Sequence, residues 1–268
     1  MLIDVVQRWG DRRSSYRPAG EPIRTAEFEV ERIAGDGVAK AFVLEHHYSA
    51  SYPAARERFG LFRAGLLVGV AVFSVPAQPK ALDVLPGDRN ESVELGRFVL
   101  LDDVPANGES WFLARCFEHL RRLGYTGVVS FSDPVARSDA GGLVTFPGHV
   151  GTIYQATNAV YLGRTKAERR RLLPDGTVIH GRTLAKIRKR DKGWRYSAAK
   201  LEANGAATLA EHNDAEAWLA LWLPMLTRSF AHSGNHKYAW ALRPRDRRHL
   251  PVGQAYPKID RGQLGLSL

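Results

Sequence analysis

Between His149 and Asn158 the chain reads HVGTIYQATN, placing His149, Thr152, Tyr154, Gln155 and Asn158 close together. Just upstream, VVSFSDP ends an apolar run in Ser132-Asp133-Pro134. These residue types suit proton transfer and recognition of a polar ring edge. Asp133 follows a predicted strand end, and Pro134 biases it to extended backbone. Sites in open α/β sheets gather at the carboxyl ends of strands. Asp133 is therefore a candidate general base, an orienting group for an exocyclic amine or a metal ligand, and it also suits an Asx-turn or helix cap. His149 titrates near neutrality and is a candidate base or metal ligand. Ser130 and Ser132 alternate with Phe131, so both would face one cleft side. Gln155 and Asn158 offer the donor and acceptor groups that read an adenine edge.

Further candidates lie upstream. Arg97 follows a strand pattern and lies on the opposite face from Phe98, as a candidate for a phosphate or acyl-carrier contact. The segment Val104 to Ser110, VPANGES, precedes a predicted helix. Helix starts bind phosphate because their first N–H groups lack intrahelical partners and the dipole end is positive. Asn107, Gly108 and Ser110 are thus candidate cofactor contacts. Only Gly108 permits close approach, and Glu109 would oppose a pyrophosphate. His46-His47-Tyr48 closes an earlier predicted helix. Neighbouring histidines on a helix point about 100° apart, so one of the two at most would ligate a given metal.

Charge is concentrated. The whole chain carries +10, and residues 161–200 alone hold 13 Lys/Arg against 3 Asp/Glu. The densest part, RTLAKIRKRDKGWRYSAAKL, contains Arg182, Lys186, Arg188, Lys189, Arg190, Trp194, Arg195 and Tyr196. Basic side chains interleaved with aromatics suit phosphate neutralisation and base stacking. RPRDRRHL, with Arg243 to Arg248, is a second candidate phosphate clamp.

The elements that would position these groups can be read from periodicity. Phe28, Val30 and Ile33 suggest a strand. Val38, Phe42, Val43 and His46 suggest one helical face between Gly37 and Tyr48. Arg58 to Phe62 and Leu66 to Ser74 flank Arg63-Ala64-Gly65 as a hairpin. Val93 to Leu101 reads as a strand. Ser110 reads as an N-cap for a helix carrying Leu113, Cys116, Leu120 and Leu123, with Gly124 as its stop. Val128 to Phe131 is a strand, Gly151 to Asn158 a short helix, and later strands hold Tyr161 and Val178 to His180. The order predicts an α/β fold with a mixed, central twisted sheet flanked by helices. Its expected parts are an N-terminal arm over 1–24, a core over 25–180, a basic helical insert over 181–230, and a C-terminal strand and basic segment over 231–268 completing the core.

Composition bounds the function. A basic excess of this size favours a polyanionic partner, nucleic acid before membrane. The single cysteine, Cys116, excludes a disulfide framework and a multi-cysteine zinc site. The longest apolar run, Leu66 to Val72, is far shorter than the ~20 residues a membrane helix needs. The N-terminus lacks a signal-peptide pattern, so the expected location is cytoplasmic.

Three stretches together, VVSFSDP with GHVGTIYQATNAVYLG, ELGRFVLLDDVPANGESWF, and HKYAWALRPRDRRHLPVGQAYPK, resemble the Mom family of phage DNA-modification proteins. The resemblance runs roughly from Ala41 to Lys258, with a poorly matched insert between about Gly181 and Phe230. It implies a GNAT-like fold, and it implies a general-acid role for Tyr154. It also places Tyr48 over the cleft, to stack on a base or bind metal. The implied activity adds a small acyl-derived, carbamoylmethyl-like group to a base exocyclic amine, adenine N6 first, shielding DNA from restriction. Double-stranded DNA and a small-molecule donor are the implied partners. Acetyl-CoA or another acyl donor stays open, as does a divalent metal such as iron. Two other readings stand beside this one: a coenzyme A-dependent N-acetyltransferase of a small or protein amine, and a non-catalytic DNA-binding protein on the same scaffold.

Overall fold

A computed structural model describes residues 5–10 and 13–258. The first strands are β1 (Val5–Gly10), β2 (Arg13–Pro18) and β3 (Phe28–Arg32), followed by helix α1 (Gly37–His46). Then come β4 (Ala55–Arg63), β5 (Leu66–Ser74), β6 (Ser92–Leu100), α2 (Gly108–Arg122) and β7 (Gly127–Ser132). The middle of the chain holds β8 (Arg137–Ser138), β9 (Val144–Phe146), α3 (Thr152–Ala156), β10 (Val160–Arg164), β11 (Glu168–Leu172) and β12 (Val178–Ile179). Helices α4 (Gly181–Lys189), α5 (Trp194–Glu202) and α6 (Ala215–Leu226) precede β13 (Arg228–His232) and β14 (His236–Ala241).

The chain divides into two units. One takes the described residues up to Pro134, then His149–Thr165, then those from Asn235 onward; the other takes Val135–Gly148 and Lys166–Gly234. This partition differs from the expected core over 25–180 and insert over 181–230. The second unit starts earlier because β8, β9 and β11 to β13 belong with its helices. It is also not purely helical.

The first unit is built on a seven-stranded sheet in the order β10-β14-β7-β6-β5-β4-β3. Every neighbouring pair is antiparallel except β6 with β7. That parallel pair is short: Ser92, Val93 and Glu94 face Gly127, Val128 and Val129, and backbone pairing ends there although both strands run on. Past that point the Ser130 hydroxyl donates to the Leu95 carbonyl at 3.0 Å, a side chain standing in where the two backbones no longer pair. On the other edge of β6 the register with β5 shifts, Arg97 facing Val72 but Leu95 facing Phe73, so Gly96 is the extra residue of a bulge. A Cβ on Gly96 would lie 2.5 Å from Ser74 Oγ, which is why the bulge needs glycine.

Helices cover both faces of this sheet. α1 lays Ala39, Phe42 and Val43 against Val70, Val72 and Val99. Val38, expected on that face, is 60% exposed, because the buried stripe runs through position 39 instead. α2 buries Phe112, Leu113, Cys116 and Leu120, at helical spacing, against Phe59, Leu61, Phe73 and Val128 on the other face. Each fully buried Phe or Leu contributes about 1.5–3 kcal/mol, so this double-sided core fixes β6 and β7 firmly. Residues expected to form a loose arm instead make the antiparallel hairpin β1–β2.

The second unit has its own core. Leu173, Ile179, Ile187, Ala198, Leu201, Trp218, Leu219 and Leu223 pack together beside the three-stranded sheet β12-β11-β13. Asp214 caps α6 by accepting hydrogen bonds from the amides of Glu216 and Ala217. Among the described residues no helix is long and apolar enough to cross a membrane.

Candidate active site

Where β6 and β7 part, side chains from distant stretches meet. α1 stops at His46, and His47 leaves the helix in extended conformation, which turns Tyr48 away from the helix axis. Tyr48 Oη lies 3.3 Å from His149 Nε2. His149 is placed by its amide, which donates to the Asp133 carbonyl at 2.8 Å. The His149 ring then sits 6.5 Å from that of Tyr154, edge on. Tyr154 is buried between the Tyr238 and Trp240 rings, at 5.3 and 5.5 Å. Burial, with Tyr48 next, pushes the Tyr154 phenol well above its ordinary range, while a hydrogen bond with Ser130 opposes the shift. Tyr154 therefore holds its proton at neutral pH, as a proton donor must.

Arg97 sits beside them. Its Nε donates to the Ser51 carbonyl at 2.8 Å, Nη2 to Ser51 Oγ at 2.7 Å, and Nη1 to the Gly96 carbonyl. It thus holds the loop after α1 as well as placing a charge in the site. Burial lowers its pKa, with Tyr48, Glu94 and Tyr154 opposing. His47, fully buried, is held well below the ordinary imidazole value by burial, then by Arg97 and His149. It is neutral, and its Nδ1 lies 2.9 Å from Ser49 Oγ.

Two participants, Glu94 and His236, were not singled out from the sequence, and they join Ser132, which was. Glu94 closes the parallel pair opposite Val129, and burial raises its pKa against the pull of Arg97. Ser132 and His236 face each other in the β7–β14 register. Ser132 Oγ and His236 Nε2 are both buried without a hydrogen-bond partner. His236 Nδ1 lies 2.7 Å from Tyr161 Oη, and burial, with Arg164, brings the imidazole down to about 4. The ring is therefore neutral. The signal for His236 was its place in HKYAW, a strand pattern, but nothing in the spacing reveals its partner.

Other expected contacts are used differently. Gln155 Nε2 donates to Val150 and Pro257 carbonyls and to Tyr238 Oη, at 3.3–3.4 Å. Asn158 is an exposed left-handed turn residue, φ 59°, whose carbonyl accepts from Arg247. Gln155 is thus engaged within the chain, while Asn158 lends Arg247 its backbone carbonyl. Ser110 is not the N-cap of α2. Asn107 holds that position, and Ser110 Oγ donates back to the Asn107 carbonyl at 3.1 Å. Gly108 is buried, and a Cβ there would lie 2.6 Å from Val104. Glu109 pairs with Arg8 at 2.8 Å, so its charge is answered within the chain. Burial raises the Glu109 pKa and Arg8 opposes.

The basic residues of the second unit separate into two groups. Arg182, Lys186, Arg188 and Lys189 are exposed on α4. Arg190 instead ends α4 in left-handed conformation, donates to the His212 carbonyl, and lies 5.0 Å over the Trp194 ring. Trp194 also carries Arg195 at 5.4 Å and is half-buried against the unit's core. The exposed aromatic is Tyr196, with Lys200 over it at 5.3 Å. Among the described residues no three His, Cys, Asp or Glu side chains gather to hold a metal ion.

The sheet order, the single parallel pair that ends early and the bulge beside it make a GNAT-like mixed α/β fold. The chain belongs to the Mom protein family, which matches residues 27–258. Among solved structures it is similar to a GNAT family N-acetyltransferase from Escherichia coli in complex with CoA, at 14% identity and TM-score 0.31, covering 40% of this chain and 64% of that one, just under two thirds. It is also similar to a tandem GNAT protein from the clavulanic acid biosynthesis pathway, at 10% identity and TM-score 0.42, covering 81% and 99%. An N-acetyltransferase from Staphylococcus aureus Mu50 is similar at 11% identity and TM-score 0.35, again covering 81% and 99%. No curated protein matches the chain.

Proposed function

We propose that this transferase adds a small acyl-derived, carbamoylmethyl-like group to the exocyclic amine of a DNA base, adenine N6 first, and so shields DNA from restriction. The observation that carries the reading is the Tyr48–His149–Tyr154 cluster at the open end of the parallel strand pair. An exocyclic amine conjugated with its ring is a weak nucleophile, so it needs proton removal as its nitrogen bonds to the donor carbon. Asp133 and His149, whose backbones are joined by a hydrogen bond, are the candidates to take that proton. Tyr154 supplies a proton to the departing group. The base must leave its stack, at a cost of a few kcal/mol, and stacking on Tyr48 offsets part of it. Arg182, Lys186, Arg188 and Lys189 supply phosphate contacts.

Nucleoside mass spectrometry of DNA from cells expressing the chain tests this directly. A new adenine-derived nucleoside is expected. Unmodified DNA, with the protein folded and abundant, sinks the reading.

A further inference from the structure

A donor carried on a pyrophosphate would dock where the loop enters α2, since a helix start leaves backbone N–H groups without intrahelical partners. In this chain those groups are engaged by the chain itself. Glu21 reaches the turn: its Oε2 accepts from the Ala106 amide at 3.0 Å, and its carbonyl accepts from the Asn107 amide at 3.1 Å. The amides of Gly108 and Glu109 turn back onto the Pro105 and Ala106 carbonyls, at 2.8 and 3.4 Å.

Two arginines complete the arrangement. Arg17 Nε and Nη2 hold the Glu21 carboxylate at 2.8 and 2.5 Å, and Arg17 Nη1 donates to the Asp102 carbonyl. Arg8 donates to the Leu101 and Pro105 carbonyls while pairing with Glu109. The hydrogen bond from Arg17, then that from the Ala106 amide, holds the Glu21 carboxyl below its ordinary value, so it is ionised at neutral pH. A backbone amide and a guanidinium converging on an anion are part of the recognition set of a phosphate site. Here the anion is a side chain of the protein.

We propose that Glu21 is a built-in anion that fills the phosphate position before α2, making it a specificity-determining residue that excludes pyrophosphate-bearing carriers such as coenzyme A. A second anion at this turn would meet the Glu21 charge and find the Ala106 and Asn107 amides occupied. The transferred group must then arrive on a carrier held elsewhere in the site. This rests on the donor-using reading above, but the anion site can be measured without DNA or turnover.

Titration calorimetry of the full chain with free coenzyme A, and separately with inorganic pyrophosphate, is the test. The wild-type protein should give no binding up to about 1 mM. Glu21→Ala frees Arg17 and the Ala106 amide and should gain at least about tenfold in affinity for both probes. Glu21→Gln keeps an oxygen for Ala106 but drops the charge, so it should fall between; it also serves if the alanine variant does not fold. Micromolar binding of coenzyme A by the wild type overturns the proposal. So does a folded variant that gains nothing. A failed search for modified nucleosides would leave these binding results unchanged, so the two failures are told apart.

Discussion

Tyr48 and His149, 101 positions apart in the chain, bring Oη and Nε2 to 3.3 Å. One follows the helix that covers one face of the sheet; the other follows the strand that leaves the parallel pair. Their meeting ties the end of α1 to the entry of α3. It also puts the imidazole beside two phenols, since the Tyr154 ring lies 6.5 Å from that of His149. Burial keeps the proton on the Tyr154 phenol, with the His149 ring beside it.

Tyr154→Phe and Asp133→Asn change volume little and should leave the fold intact. Each should lower base modification by ~100- to 10,000-fold, the usual worth of a general acid or base. Quantitative nucleoside mass spectrometry on matched expression levels reads the loss. Wild-type modification by both variants would move the chemistry to other residues.

Much of this frame was legible beforehand. Leu66 to Ser74 and Val93 to Leu101 have strand character, and Leu113, Cys116 and Leu120 keep helical spacing; both patterns match the structure. Local periodicity carries that much because burial on one face imposes it. It is silent on the rest. β11 reads ERRRL, with no apolar alternation, yet it is the central strand of its sheet. Arg17–Glu21 and Arg8–Glu109 are charge pairs that no period announces, and both lie at the turn before α2. Glu94 looked like one polar residue on a strand. Its meaning comes from where β7 stops pairing, which is a property of the sheet. Likewise Ser110 precedes an apolar helical pattern and reads as a cap, but the helix begins two residues earlier, at Gly108.

Gly151 is the hinge of the site. Its φ of 74° is left-handed, and a Cβ would fall 2.6 Å from Tyr154 and 3.0 Å from Tyr238. Gly151→Ala should cost about 1–2 kcal/mol for the backbone alone, lowering the melting temperature by roughly 2–8 °C. It should also lower modification by displacing Tyr154. Thermal denaturation showing no change would mean that an alanine takes this left-handed conformation without cost and that the Tyr154 and Tyr238 rings yield freely.

Glu94 links stability to pH. Burial raises its pKa above the ordinary 4.5, with Arg97 opposing. The folded protein therefore binds this proton more tightly than the unfolded chain. The stability it contributes is complete below 4.5 and is lost as pH rises through the folded value. Glu94→Gln, which cannot ionise, should be more stable than wild type near neutrality and lose that advantage in acid. Denaturation at both pH values decides it; an advantage that persists unchanged in acid would assign the effect to packing.

On the proposed function, the basic face of α4 should set the salt dependence of DNA binding. Lys186, Arg188 and Lys189 are exposed, whereas Arg190 is committed to the His212 carbonyl and the Trp194 ring. The logarithm of affinity for duplex DNA should fall with that of salt by about 0.9 per phosphate contact. Replacing Lys186, Arg188 and Lys189 together by Gln should reduce the slope by about 2–3, one contact for each charge removed. Arg190→Ala should act the other way round, lowering stability by about 1 kcal/mol with little change in slope. The comparison separates phosphate contact from support of the α4–α5 turn, since each variant serves as the control for the other. An unchanged slope in the triple variant would make this face merely solvated, and a large slope change in Arg190→Ala would return that residue to the DNA-contacting set.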